Sequence, residues 1–194
     1  NAFGDNQAKQ EDVISRILFF VEKHWNELFT FSRRSSYNMS RWSARFGFEK
    51  TGKQILEKAK SGCNGRYVAV NLSNYHTIEF RLFRGTLKYN TFIATLQMVN
   101  HICDAAISLS EEGIDAMSWS EFVSSIREPE LIQYLKVKLL ITLDTLTARI
   151  LKLSSDSQSR IEPTPFYSWW EPTDCRADSA VTPVAHKISP DHCF

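Results

Sequence analysis

Apolar residues recur every three or four positions along several stretches of the chain, which is typical of amphipathic helices. This pattern predicts one continuous helix over residues 10–30 and another over residues 90–109. The expected core-facing stripe of the second helix consists of Phe92, Leu96, Val99, Cys103 and Ala106. Residues 130–153 are rich in Leu and Ile and predict a last long helix.

Two shorter helices are indicated by the residues that begin and end them. Thr51 is a suitable N-cap for a helix through residue 60, and Gly62 stands where a left-handed residue ends such a helix. Ser118 and Glu121 have the spacing of a capping box. Residues 32–46 show no clean period, so we expect an ordered loop with a helical turn there.

Only residues 66–72 and 77–83 have the composition of β-strands, and the four residues between them are short enough for a hairpin. The alternation of a strand places Thr77, Glu79, Arg81 and Phe83 on one face, and Ile78, Phe80 and Leu82 on the other. The predicted fold class is therefore α+β, with a small antiparallel sheet and helices packed against one of its faces.

The composition changes after residue 153. Residues 154–194 contain five of the six prolines and no glycine, which predicts a tail without regular structure following a domain of residues 1–153. That domain carries 20 Lys and Arg against 16 Asp and Glu, so it is mildly basic. A mild positive charge suits a small anionic ligand.

Composition also argues against several classes of protein. A net charge of +1 offers no global field for coating nucleic acid, and no apolar run is long enough to span a bilayer. The four cysteines form no C-x-x-C pair, so a zinc site or a disulfide framework is not expected. The chain lacks a signal segment and starts at Asn1, so we expect a cytoplasmic protein and an incomplete fragment.

The second predicted strand carries the most informative chemistry. Glu79 and Arg81 lie two residues apart on one face, and Arg84 follows at the strand's end. A carboxylate beside a guanidinium can hold a divalent cation and a phosphate oxygen. The same alternation is also typical of a solvated strand face with an ordinary ion pair, and spacing alone does not separate the two.

The loop of residues 32–46 is open to two interpretations. It interleaves aromatic and basic residues, which could form a phosphate cradle or a stacking platform for nucleic acid. The same residues could equally be helix-end side chains lying over aromatic rings. The basic members are Arg33, Arg34, Arg41 and Arg45. His24, His76 and His101 are expected to be packing or loop residues rather than catalytic bases.

The stretch RYVAVNLSNYHTIEFRLFRGTLKYNTFIATLQMV resembles the second half of the amidoligase family, relatives of the glutamine synthetase and glutamate–cysteine ligase group. The resemblance extends through FVEKHWNELFTFSRRSSYNMSRWSARFG before it and through HICDAAISLS and PELIQYLK after it. It covers residues 1–136 and implies half of a glutamine-synthetase-like fold. Proteins of this kind are bacterial or phage enzymes.

The resemblance implies an ATP- and Mg²⁺-dependent ligase that joins a small-molecule or peptide carboxylate to an amine through an acyl-phosphate. In such ligases a strand of the form x-Glu-x-Arg supplies a metal-binding Glu and a phosphate-binding Arg, which here are Glu79 and Arg81. The resemblance makes Arg84 a second catalytic candidate. Candidate contacts to ATP or substrate are Arg41, Arg66 and Asn71.

The chain departs from the family in two places. The acidic G-x-E-x-E-like segment and the H-x-H-like strand of such ligases are absent, and the sequence after residue 136 no longer resembles them. A non-catalytic binding or interaction module is therefore the alternative function. A nucleic-acid-associated phage or plasmid protein is a third, which the near-neutral charge disfavours.

Overall fold

Most of the described chain is helical. The computed structural model describes residues 3–62, 65–74, 77–138 and 140. Within this part the chain order is α1 (Gln7–Lys23), α2 (Trp25–Ser32), α3 (Ser36–Trp42), α4 (Gly52–Lys60), β1 (Val70–Asn71), β2 (Glu79–Phe80), α5 (Tyr89–Ser108), α6 (Glu111–Ala116), α7 (Trp119–Ser125) and α8 (Pro129–Val137). The predicted α+β class, with helices around a small antiparallel sheet, is confirmed.

Helix α1 lies at the centre of the helical core. It packs against α4, α5 and α6, and α5 in turn packs against α8. Phe20 of α1 contacts Phe122 of α7 with their ring centroids 4.5 Å apart, and both side chains are buried. Ile17, Met98 and Ile102 are fully buried in the same core. Apolar burial of this extent is the main stabilising contribution to the fold.

The predicted continuous helix over residues 10–30 is wrong, because the chain leaves helical geometry at His24 (φ −98°, ψ 32°). The ring of His24 lies 4.6 Å from the ring of Phe20 and 5.7 Å from that of Trp119. No glycine or proline marks this position. The break between α1 and α2 is therefore set by tertiary packing. The spacing of apolar residues continues unchanged across it, so the sequence pattern did not reveal it.

The predicted stripe of α5 is right at Ala106, which is buried, and wrong at Phe92 and Leu96. The structure buries Ala94, Met98, Ile102 and Ala106, while Phe92 and Leu96 are about half exposed. The helix is apolar around most of its circumference, so periodicity alone did not distinguish the face that packs against α1 and α8.

The helix ends largely agree with the sequence. Thr51 and Gln54 form a capping box at the start of α4, and Gly62 has a positive φ of 68° beyond its end. Ser118 and Glu121 form the second predicted capping box, at the start of α7. The helical turn expected within residues 32–46 is α3, which Ser35 caps by accepting a hydrogen bond from the backbone N–H of Asn38.

The two strands pair antiparallel, as predicted, with Val70 opposite Phe80 and Asn71 opposite Glu79. They are two residues long, much shorter than the predicted runs. None of the described helices is long and apolar enough to cross a bilayer. The predicted continuous helix over residues 130–153 is wrong at its middle, because α8 ends at Val137 and Lys138 is its C-cap. Residues 141–153 and the predicted tail of residues 154–194 lie outside the described residues.

Candidate functional site

The hairpin register brings two predicted site residues together. Residues opposite one another in an antiparallel pair place their side chains on the same face. Asn71 lies opposite Glu79, and its Nδ2 donates a hydrogen bond to Glu79 Oε2 at 3.0 Å. Asn71 is buried, and its Oδ1 accepts a hydrogen bond from the backbone N–H of Ser73 at 3.1 Å. The carboxylate of Glu79 is therefore held by an anchored amide.

Arg81 binds the other oxygen of the same carboxylate. Its Nη1 donates to Glu79 Oε1 at 2.8 Å, which confirms that the two side chains share a face. The Glu79 side chain is 42% exposed and that of Arg81 is 19% exposed. The hydrogen bond from Asn71, followed by the positive charges of Arg81 and Arg66, lowers the pKa of Glu79 below its usual value. Glu79 is thus ionised at neutral pH.

Tyr67 is the residue around which the other candidates gather. The guanidinium carbons of Arg66 and Arg81 each lie 5.5 Å from the centroid of its ring. The ring of Trp42 meets it nearly edge-on, with the two centroids 5.3 Å apart. Arg41 in turn lies 5.0 Å above the ring of Trp42. Cations over aromatic faces are held by the ring's negative quadrupole.

Backbone hydrogen bonds explain why the end of α3 lies beside Tyr67. The N–H of Ala44 donates to the carbonyl of Tyr67 at 2.9 Å, and the N–H of Ala69 donates to the carbonyl of Ala44 at the same distance. The hydroxyl of Ser43 donates to the carbonyl of Arg81 at 2.6 Å. Residues 43–44 therefore join the hairpin as a short extra segment.

Five of the six predicted site residues lie in this one surface cluster. With the two aromatic residues they form what we call the Tyr67 cluster: Arg41, Trp42, Arg66, Tyr67, Asn71, Glu79 and Arg81. Arg84 has no contact with Glu79. Its backbone N–H donates to the carbonyl of Ser32 at 3.1 Å, and its own carbonyl accepts a hydrogen bond from Arg33.

Besides Arg33, two more of the four loop arginines have structural partners that the sequence did not reveal. Arg34 donates from Nη2 to the carbonyl of Arg81 at 2.9 Å and from Nε to the carbonyl of Leu82 at 3.1 Å. Arg45 donates from Nε to Glu22 Oε2 at 2.8 Å. Arg41 instead remains exposed, and its Nη1 donates to the hydroxyl of Tyr37. The preference for Arg41 as the ligand-facing arginine of this loop is consistent with these contacts.

Tyr67 is the functional candidate that sequence reasoning missed. The strand alternation that predicted the common face of Glu79 and Arg81 also places Tyr67 and Asn71 on one face of the preceding strand. Pairing the two runs in register would have placed all four side chains together. The contact with Trp42 has no local signal, because it depends on the bridge that Ala44 makes.

The charges of the Tyr67 cluster favour an anion over a metal ion. Three guanidinium groups accompany a single carboxylate, and both oxygens of that carboxylate already accept hydrogen bonds. Among the described residues no three His, Cys, Asp or Glu side chains come together as metal ligands would. Mg²⁺ is usually bound by one or two carboxylates together with substrate phosphates. Glu79 is the one carboxylate that the Tyr67 cluster offers for such a role, while its three guanidinium groups are suited to an anion.

The other titratable groups considered as catalysts are unsuitable. Burial raises the pKa of the Cys103 thiol to about 11, so it is not a thiolate nucleophile at neutral pH. Burial and the neighbouring charge of Lys23 lower the pKa of His24 to about 4. That imidazole is neutral and lies within the helical core, away from solvent.

No family model, curated protein or solved structure matches the chain.

Proposed function

We propose that the Tyr67 cluster binds the phosphate groups of a nucleotide, and that the chain is the phosphate-binding part of an ATP-dependent carboxylate–amine ligase. The observation that carries the proposal is the excess of guanidinium groups. Arg66 and Arg81 lie over the exposed ring of Tyr67, and Arg41 lies over the adjoining ring of Trp42. Among the described residues, Glu79 is the one carboxylate that forms a salt bridge with any of these three arginines. A guanidinium presents its donors in a planar fork that matches phosphate oxygens.

The residues of the cluster have different roles in this proposal. Arg81 is held by Glu79 and by the ring of Tyr67, so its position is fixed before a ligand arrives. Arg66 and Arg41 are exposed and can turn toward a phosphate chain. Trp42 and Tyr67 offer partly exposed ring surfaces on which a base can stack.

The ligase reaction assigns these cations a task. Transfer of the terminal phosphoryl group of ATP to a carboxylate gives an acyl-phosphate and ADP, and the amine then displaces phosphate to form the amide. Negative charge develops on the transferring group, and fixed cations stabilise that charge in the transition state. Arg81 is the best placed of the three because its geometry is set by two partners. The role of Glu79 as a Mg²⁺ ligand stays a prediction from the resemblance, since both of its oxygens are engaged.

The first experiment measures nucleotide binding without metal. The full 194-residue chain is titrated with ATP, ADP and AMP in the presence of a chelator. We expect affinity to fall in that order, because each lost phosphate removes charge that the arginines neutralise. Arg81→Gln and Arg66→Gln should each weaken ATP binding by about tenfold, the scale of one charge-assisted hydrogen bond.

A matched control separates a site from general electrostatics. Lys53 is exposed on α4 and forms no salt bridge with a described carboxylate, so Lys53→Gln makes the same change in net charge elsewhere. Equal weakening by Lys53→Gln, or equal affinity for ATP and AMP, would contradict the nucleotide site. ADP release is then assayed with Mg²⁺ and a panel of carboxylates and amines. ATP binding without any ADP release would retain the site and reject the ligase.

Single-stranded nucleic acid is a second candidate ligand. It is favoured by the exposed rings of Tyr37 (65%), Trp42 (37%) and Tyr67 (42%), which alternate with arginines along one surface. Bases stack on such rings while cations bind the backbone. An oligonucleotide that binds more tightly than ATP, with an affinity that falls steeply as salt rises, would support this candidate.

A further inference from the structure

A second cationic region lies between the start of α5 and helix α8. It is an open cavity of about 500 Å³. Four basic side chains contribute to its wall, together with the carboxylate of Glu130 and the ring of Tyr134; the basic residues are Arg33, Arg84, Lys88 and Lys138. Of the Tyr67 cluster, no residue lines this cavity.

The positive charge of this cavity is not neutralised by the described part of the protein. None of its four basic side chains forms a salt bridge with a described carboxylate. Glu130 is the one acidic residue of the wall, and its Oε2 accepts a hydrogen bond from Gln97 at 2.9 Å. Unpaired cations converging on a concave surface attract anions more strongly than the same cations spread over a convex one.

Arg33 is placed in the wall by an unusual backbone conformation. Its φ of 65° is the only positive value at a non-glycine residue among those described, and it falls at the end of α2. Glycine is the usual residue in that conformation because it lacks a Cβ. Its Nη2 donates to the carbonyl of Arg84, and its Nε is buried without a hydrogen-bond partner. The structure thus holds a guanidinium at the cavity wall in a backbone conformation that costs a side-chain-bearing residue energy.

The start of α5 adds to the same positive potential. This helix is 20 residues long, Lys88 is its N-cap, and no side chain caps its first turn. Asn90 and Thr91 of that turn line the cavity. The free N–H groups at the start of a helix carry partial positive charge. The helix end strengthens an anion site whose basis is the cavity and its four cations.

We propose that this cavity binds a small organic anion carrying two negative charges, either a phosphate monoester or a dicarboxylate. Arg33, Arg84 and Lys88 would bind the charged groups, and Tyr134 would contact the body of the molecule. The proposal goes beyond the nucleotide site and does not depend on it, because only residues outside the Tyr67 cluster take part.

The test is calorimetric titration of the full chain at low ionic strength with two probes, phosphoserine and glutarate. Lys88→Gln and Arg33→Gly should each weaken binding of the preferred probe by about tenfold. Glycine at position 33 removes the cation and relieves the left-handed backbone, so this variant should melt no lower than the parent. The probe that binds more tightly identifies the charged group.

Two controls make the result specific. Lys136 is exposed on α8 but lies outside the cavity wall, so Lys136→Gln should leave the affinity within about twofold of the parent. Arg81→Gln should likewise leave it unchanged while weakening ATP binding. Failure of both probes to bind, equal weakening by Lys136→Gln, or no effect of Lys88→Gln and Arg33→Gly would overturn the proposal.

Discussion

Two Glu–Arg pairs of identical length lie in contrasting regions of this protein. At the edge of the helical core, Nε of Arg45, which is 41% exposed, lies 2.8 Å from Glu22 of α1, whose side chain is 2% exposed. At the hairpin Arg81 Nη1 is 2.8 Å from Glu79, whose side chain is 42% exposed. The distance between charged atoms is the same, so burial and the surrounding charges must distinguish the two roles.

The partners of the two carboxylates show the difference. Oε1 of Glu22 also accepts a hydrogen bond from the backbone N–H of Phe46 at 2.7 Å, and Arg45 lies 5.0 Å above the ring of Trp25. This pair thus fastens the loop after α3 onto helix α1. Glu79 instead interacts with the charges of both Arg81 and Arg66, and a single carboxylate cannot neutralise two guanidinium groups. One pair is complete and structural, and the other leaves positive charge available to a ligand.

The largest effect that would test this comparison is expected from Glu22→Gln. An amide at this position leaves a buried site without its charge and turns one donor toward the N–H of Phe46 or toward Arg45. We expect a loss of about 3 kcal/mol in the free energy of unfolding, measured by urea denaturation, because the part-buried N–H of Phe46 and the guanidinium of Arg45 both lose a charged acceptor. ATP affinity should not change, because Glu22 lies outside the Tyr67 cluster.

If Glu22→Gln and the parent protein had equal free energies of unfolding, this prediction would be wrong. Burial would then have no bearing on which of the two pairs is structural, and the distinction drawn between the core and the hairpin would fail. Circular dichroism of the variant before denaturation ensures that the comparison is made between folded proteins.

The two regions also differ in how far the sequence predicted them. The common face of Glu79 and Arg81 followed from the two-residue period of a strand. Thr51 and Ser118 likewise indicated where two helices begin. Both kinds of feature depend only on residues close together in the sequence. The Glu22–Arg45 pair joins residues far apart in the chain. Nothing near either residue indicates the other, so sequence reasoning left Arg45 as a candidate for phosphate binding.

The same limit explains the errors in the helices. The break at His24 is set by the rings of Phe20 and Trp119, and the second of these lies far along the chain. Helix α5 carries apolar residues on nearly all sides, so the choice between the face of Leu96 and the face of Met98 depends on which neighbours pack against it. Local pattern predicts elements, whereas packing decides their ends and faces.

The pH dependence of stability provides a second, smaller test of the helical core. The pKa of His24 is lowered from 6.5 to about 4, chiefly by burial and then by the charge of Lys23. Below pH 6.5 His24 is therefore protonated in the unfolded chain but still neutral in the folded chain. The free energy of unfolding falls as the pH drops from 6.5 toward 4. Between pH 7.5 and pH 5 the contribution is about 2 kcal/mol.

His24→Phe should remove this part of the pH dependence, because phenylalanine fits between the same rings and does not titrate. Urea denaturation of the variant and the parent at pH 7.5, 6 and 5 measures the difference in slope. Part of the slope that remains in the variant belongs to His101, whose pKa burial also lowers, so His24→Phe combined with His101→Gln should reduce it further. Identical slopes in the parent and in His24→Phe would refute the role of His24.

The smallest effect on stability is expected from Glu79→Gln. This variant should bind ATP more tightly, not more weakly, than the parent protein. Because the Glu79 side chain is 42% exposed, its loss should change the free energy of unfolding by less than about 0.5 kcal/mol. It also removes the one negative charge of the Tyr67 cluster and releases Arg81, so metal-free ATP should bind about threefold more tightly. Titration of the full chain with ATP in chelator measures this change.

Glu57→Gln is the matched control, because Glu57 is exposed on α4 and forms no salt bridge with a described cation. Tighter ATP binding by Glu79→Gln alone would show that the cluster acts through its cations. Weaker metal-free binding would show instead that the carboxylate is needed to position Arg81, and that the pair works as a unit. If Glu79→Gln binds metal-free ATP more tightly but requires more Mg²⁺ for ADP release, the predicted role of Glu79 as a metal ligand gains direct support, since an amide preserves the shape of the side chain and removes only its charge.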